Sequence, residues 1–199
     1  MTGLLLPLLF GRLAPAGPAG RLSILIFHRV LPEPDPLFDD IPDAGRFEEQ
    51  MRWVARWFNV LPLAEAVARL QSGALPERAL AITFDDGYAD NATVAAPLLQ
   101  RLGLCATFFV TTGVLDGGRM WNDTVIEAIR RAPEGPLDLS ALGLECSHLA
   151  DAVSRRSAID RVLGAIKRCP YAERLDVVRR IQETIGVALP NDLMMSTDQ

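Results

Sequence analysis

Apolar positions along this chain fall into short unbroken runs separated by stretches with helical spacing, and the two rhythms alternate. The run LSILIFH, Leu22 to His28, is continuous and partly β-branched, which predicts a strand buried in a parallel sheet. RVLPEPDPLFDDIP follows it. Pro32, Pro34, Pro36 and Pro42 remove amide donors and fix φ, so a long loop is expected at the strand's carboxyl end. In AGRFEEQMRWVARWF, the residues Phe47, Met51, Val54, Ala55 and Phe58 recur at helical intervals. NVLPLAEAVARLQSG then predicts a short strand and a helix ending near Gly73.

The next run, LAITFDDG, predicts a strand that ends in Asp85 and Asp86. YADNATVAAPLLQRLG predicts a helix closed by Gly103, and LCATFFVTTGVL a further buried strand opening into a glycine loop. Asn122 or Asp123 is expected to cap a helix running from about Thr124, since a short side-chain oxygen satisfies an orphan amide there. From Pro136 to Pro190 the pattern is helical and loop-like, without a strand of comparable strength. The alternation points to an α/β fold: the first part of a (β/α) barrel or of an open sheet. Functional residues in such folds sit at the carboxyl ends of the strands, where His28, the Asp85-Asp86 pair and Thr111-Thr112 fall. The expected organisation is an apolar, Pro/Gly-containing lead-in over 1–20 and one domain over 21–199, with a helical, insertion-like segment at about 122–190.

Composition narrows the function classes. At 199 residues the chain suits one domain with a sizeable core, and 49% hydrophobic against 23% charged residues suggests neither a disordered nor a membrane-spanning class. A net charge of -5, with Lys167 as the only lysine, supplies no concentrated basic face, so a nucleic-acid partner is not expected. Cys105, Cys146 and Cys169 are odd in number and widely spaced, which suits reduced thiols better than a disulfide framework or a zinc knuckle. The N-terminal MTGLLLPLLFGRLAPAGPAGRLS has a short apolar core broken by Pro7 and no basic residues before it. An amphipathic or disordered lead-in fits it better than a secretory signal, which favours a cytoplasmic or membrane-peripheral location over export.

Neighbouring strand residues point to opposite faces, so Asp85 and Asp86 can share a site only where the strand ends or bulges. Gly87 supplies the backbone freedom for such a turn. Two readings stand side by side. In one, Asp85 ends the strand and Asp86 caps the next helix. In the other, the two like charges are kept together by a divalent cation, one carboxylate ligating while the other stays available as a base.

The ordered segments SILIFHRV, ITFDDGYADN and ATFFVTTG resemble the polysaccharide deacetylase family, carbohydrate esterase family four, which includes chitooligosaccharide deacetylases. The resemblance runs from about Leu22 to Gly118, and RMWNDTVIEAIRR also looks like members associated with exopolysaccharide loci. It implies the N-terminal part of a distorted (β/α) barrel and a metal-dependent hydrolase acting on an N-acetylated oligo- or polysaccharide. On the matching positions, Asp85 would be the general base and Asp86 a ligand of a zinc-like divalent ion. A backbone amide near Gly87 or Tyr88 would hold the oxyanion, and His28 would line the pocket or serve as a buried structural histidine.

The chain departs from the family in its histidine pair and in the later motifs, including the histidine that serves as general acid there, which have no counterpart. The family's second motif is a histidine pair that completes the metal site, and this chain has only His28 and His148. One carboxylate and one imidazole should hold a metal weakly. His148 is expected to be an ordinary surface or helix residue. The expectation is therefore a truncated deacetylase, inactive alone, with a non-catalytic carbohydrate-binding or regulatory remnant of the family as the alternative. Trp53, Trp57 and Trp121 could stack on sugar rings in that case, although Trp53 and Trp57 lie four apart on one helix and are expected to pack. A haloacid-dehalogenase-type phosphatase, which wants aspartates at i and i+2, fits the adjacent pair poorly.

Overall fold

The computed structural model describes residues 12–199, and most of the expected apolar lead-in, residues 1–11, lies outside them. The chain divides into two compact units. One holds the described residues up to Pro34, Asp40–Gly113 and Met195–Gln199; the other holds Asp35–Asp39 and Val114–Met194. Among the described residues no helix is long and apolar enough to cross a membrane.

The first unit is built on a parallel sheet. Strand β1 (Ser23–Phe27) pairs in parallel along β3 (Ala79–Phe84), while β2 (Asn59–Val60) and β4 (Thr107–Phe108) pair in parallel with the start and the end of β3. Strand β3 is therefore central, and all six of its residues are buried. Helix α1 (Ala44–Trp57) starts at Asp43, whose carboxylate accepts the N–H groups of Gly45 and Arg46 and so satisfies two orphan donors. Its apolar stripe buries Phe47, Met51 and Val54, each contributing about 1.5–3 kcal/mol. Helix α2 (Leu63–Gln71) ends before Gly73, which takes a φ of +67°. A π-turn over Asn91–Ala95 leads into α3 (Ala96–Arg101), and Gly103 closes that segment at φ +65°.

Two strands expected to be buried are not. Ile24 and Ile26 of β1 are 46% and 61% exposed, because they share a face of an outer strand on which none of the described residues packs closely. The run at LCATFFVTTGVL yields only the two residues of β4, and Phe109 and Val110 stand exposed beyond it. A continuous apolar run reports strand propensity, and burial on both faces needs neighbours that the run does not specify. Trp53, expected to pack, is 55% exposed and lies against Trp57 with ring centroids 5.2 Å apart.

The second unit is mostly helical, with α4 (Trp121–Arg131), α5 (Ala152–Ile166) and α6 (Tyr171–Ile185) enclosing Val125, Ile129, Ile159, Val162, Ile166 and Ile181. Helix α4 begins three residues before the expected Thr124, and its N-cap is Met120 with no side-chain cap, so neither Asn122 nor Asp123 has the capping role. Helix α5 carries a reciprocal capping box between Asp151 and Ser154. An antiparallel pair, β5 (Gly135–Leu137) and β6 (Ser147–Leu149), occupies a stretch expected to hold no strand. His148 accordingly lies on β6, exposed and opposite Pro136, and not in a helix or loop. Three-residue strands are too short to leave a periodic signal. Arg130 forks onto Asp35 at 2.9 and 2.6 Å, fixing a piece of the proline-rich loop within this unit.

Candidate active site

A rung of three phenylalanines sets the level of the site. Phe27, Phe84 and Phe108 are register partners across β1, β3 and β4, with ring centroids 5.4 and 4.9 Å apart, and the Phe47 ring of α1 meets Phe27 edge-on at 5.2 Å. Aromatic stacking of this kind adds about 0.5–1.5 kcal/mol per pair and locks the strand ends in register. One residue further on, the Asp85 N–H donates to the Phe27 carbonyl and the Phe109 N–H to the Phe84 carbonyl, at 2.9 and 2.8 Å. His28 and Asp85 leave the sheet at this common edge.

The backbone then turns sharply. Asp86 and Gly87 both take left-handed conformations, φ +76° and +78°, and the Thr111 N–H donates to the Asp86 carbonyl at 3.1 Å. The Met195 N–H donates to the Gly87 carbonyl at 2.9 Å. Aspartate tolerates the left-handed region better than most residues, at some cost in strain. The reversal interrupts the two-residue alternation of a strand, so consecutive carboxylates emerge half-buried at one sheet edge. At Gly87 a side chain is excluded twice, by φ and by Val110, whose Cγ1 would lie 2.8 Å from an added Cβ.

Among the described residues, no hydrogen-bond donor reaches the carboxylate of Asp85 or Asp86, so Asp86 does not cap the following helix. His28 Nε2 lies 4.0 Å from Asp86 Oδ2, with the imidazole largely exposed and the carboxylate mostly covered. The structure thus brings His28, Asp85, Asp86, Gly87 and the backbone of Thr111 to one end of the sheet. Tyr88 is buried beneath, with the Arg29 guanidinium 4.7 Å from its ring centroid.

Three residues at this edge lie outside the sequence expectation. Asp90 is 7% exposed and accepts from Arg29 Nε at 2.8 Å and from the Val30 N–H at 3.1 Å. Burial pushes its carboxyl above the usual carboxylate range, against the opposite pull of Arg29 and of the Val30 amide. Asn91 donates from Nδ2 to the His28 carbonyl at 2.9 Å. The only sequence signal was their position, with Arg29 directly after His28 and the Asp-Asn pair shortly after the acidic dyad.

A catalytic zinc site takes three protein ligands and a water. His28 and Asp86 supply two donors, and among the described residues no group of three or more His, Cys, Asp and Glu is placed to hold a metal ion. The residues present do not make up a complete site.

Residues 72–135 match the family model described as Polysaccharide deacetylase. Over 66 residues the chain is 39% identical to the Bacillus subtilis (strain 168) protein named "Putative polysaccharide deacetylase YxkH"; the match spans 32% of this chain and 24% of that protein. The chain thus covers about a quarter of the length of this curated relative. Among solved structures it is similar to the Streptococcus pyogenes deacetylase PplD in complex with acetate, at 16% identity and a TM-score of 0.44 over 82% of this chain and 81% of that one. It is also similar to IcaB from Ammonifex degensii, at 19% identity and a TM-score of 0.40 over 93% and 94%. The stretch from residue 72 to residue 135, with Asp85 and Asp86 at the end of its central strand, is thus the part of the chain that is similar to polysaccharide deacetylases.

Proposed function

We propose that this chain carries the acidic part of a hydrolytic deacetylase centre acting on an N-acetylated oligo- or polysaccharide, with Asp85 as general base. The observation that supports this most directly is the pair of carboxylates at the carboxyl end of β3, neither engaged by a donor among the described residues. A carboxylate whose oxygens are not taken up by donors has its lone pairs open to the proton that a general base takes.

In the reaction so assigned, Asp85 takes a proton from water as the water oxygen bonds to the acetamide carbon. A backbone amide at Gly87 or Tyr88 donates to the developing oxyanion. The nitrogen then takes the proton that Asp85 holds as the carbon–nitrogen bond breaks, and acetate and an amino sugar leave. Asp86 and His28 offer two of the donors that a zinc-like ion would need, and the steps assigned to this chain do not pass through a metal. The fold in this reading is the N-terminal part of a deacetylase-type (β/α) barrel.

The test is acetate release from an N-acetylglucosamine oligomer by the full chain. Asp85→Asn should lower the rate by about 10²–10⁴-fold, the usual worth of a positioned base. Acetate release that is indifferent to Asp85→Asn would overturn the assignment. The two-donor set favours a second reading, a carbohydrate-binding remnant without turnover. Saturable binding of the same oligomer with no acetate from either protein would support it.

A further inference from the structure

We propose that Asp90 and Asn91 are positioning residues whose side chains hold the His28–Val30 segment, and thereby set the imidazole of His28 against Asp86. The inference rests on the reading of His28, Asp85 and Asp86 as the active centre. Two consecutive buried side chains grip three consecutive residues. Asn91 takes the His28 carbonyl, while Asp90 takes the Arg29 guanidinium and the Val30 N–H. On the other side of His28, the Phe27 carbonyl is held by the Asp85 N–H at 2.9 Å. The histidine backbone is therefore pinned before and after the residue, from β3 and from the π-turn that follows the dyad.

The amide of Asn91 is oriented by its acceptors. Nδ2 faces both the His28 carbonyl at 2.9 Å and Asp90 Oδ1 at 3.2 Å, so reversing the amide would set oxygen against oxygen. Its Oδ1 is buried without a hydrogen-bond partner, in a residue only 1% exposed. A buried orphan acceptor carries a desolvation cost. An apolar residue of similar size would avoid that cost but could not donate to the His28 carbonyl. Aspartate would match the shape and offer a second carboxylate where a donor is needed. The pattern is that of a side chain kept for its N–H groups, in a π-turn, a deviation that concentrates at functional sites.

The chain has two histidines, so ring relaxation of His28 can be read with His148, on β6, as the internal control. In the full chain, Asn91→Asp should loosen the His28 ring toward the flexible range, with an order parameter below about 0.6, while His148 stays unchanged. Asn91→Ala should do the same, and hydrogen exchange should remain slow in β3. Where acetate is released, both variants should lower kcat by about 10- to 100-fold with KM little changed, as expected of a displaced active-site group. Combining either with His28→Ala should add nothing to the loss from His28→Ala alone. Folded variants with an unaltered His28 ring would overturn the proposal. So would global unfolding of both, because the network would then support the fold and not the histidine. The ring measurement needs no turnover: a loosened ring in a chain that releases no acetate would refute the proposed function and leave the positioning role standing.

Discussion

His28 Nε2 stands 4.0 Å from Asp86 Oδ2, across the carboxyl ends of two neighbouring parallel strands. That separation is too long for a hydrogen bond and short enough for both groups to face one small ligand. It follows from the backbone: β1 and β3 are in register through Phe27 and Phe84, and the chain reverses at Asp86.

The left-handed backbone at Asp86 predicts an uncommon pairing of substitutions. Asp86→Gly should fold at least as stably as the parent chain, because glycine adopts φ +76° without strain. Asp86→Ala should be less stable than Asp86→Gly by about 1 kcal/mol. Denaturant midpoints of the three proteins check this, and equal stability of the glycine and alanine variants would contradict it.

Gly87 should tolerate no side chain. Gly87→Ala combines φ +78° with a Cβ 2.8 Å from Val110 Cγ1, and should cost more than about 1 kcal/mol. Adding Val110→Ala removes the steric part and leaves the dihedral part. Thermal unfolding should therefore show partial recovery, and full recovery would mean that φ at this position carries no cost.

In the helical unit, Asp138 accepts the Ser140 N–H at 2.9 Å and the Cys146 thiol at 3.1 Å. The Ser140 bonds, with help from Cys146, hold its carboxyl down at about 2, against an ordinary value of 3.8. A carboxyl lowered by folding stabilises the folded state above pH 3.8, and that contribution is lost as pH falls from 3.8 through about 2. The same contact raises the Cys146 thiol above its ordinary value, since the thiol donates to an anion. Asp138→Asn should therefore speed alkylation of Cys146 at pH 8, and an unchanged rate would show that the contact does not govern the thiol.

Much of the first unit was legible in the sequence because its signals are local. Helix α1 follows from the spacing of Phe47, Met51 and Val54, the ends of α2 and α3 from Gly73 and Gly103, and β3 from an apolar run closed by two aspartates. Burial was misjudged for β1 and β4, since an Ile on a strand is covered only if another element packs on that face. In the second unit, β5 and β6 were invisible because three residues carry no period.

The chemistry on offer is written in the order of residues: two adjacent carboxylates after a strand, a glycine to turn the chain, and a histidine at the end of an earlier strand. Which of these groups meet depends on the folded backbone. Register between β1 and β3 brings His28 to Asp86 across more than fifty residues of chain, and the turn at Asp86 and Gly87 puts both carboxylates at one edge. The grip of Asp90 and Asn91 on the residues after β1 belongs to the same class. Hydrogen bonds between residues sixty or more apart leave no periodic trace, because their partners are chosen by the folded backbone and not by neighbours in the chain.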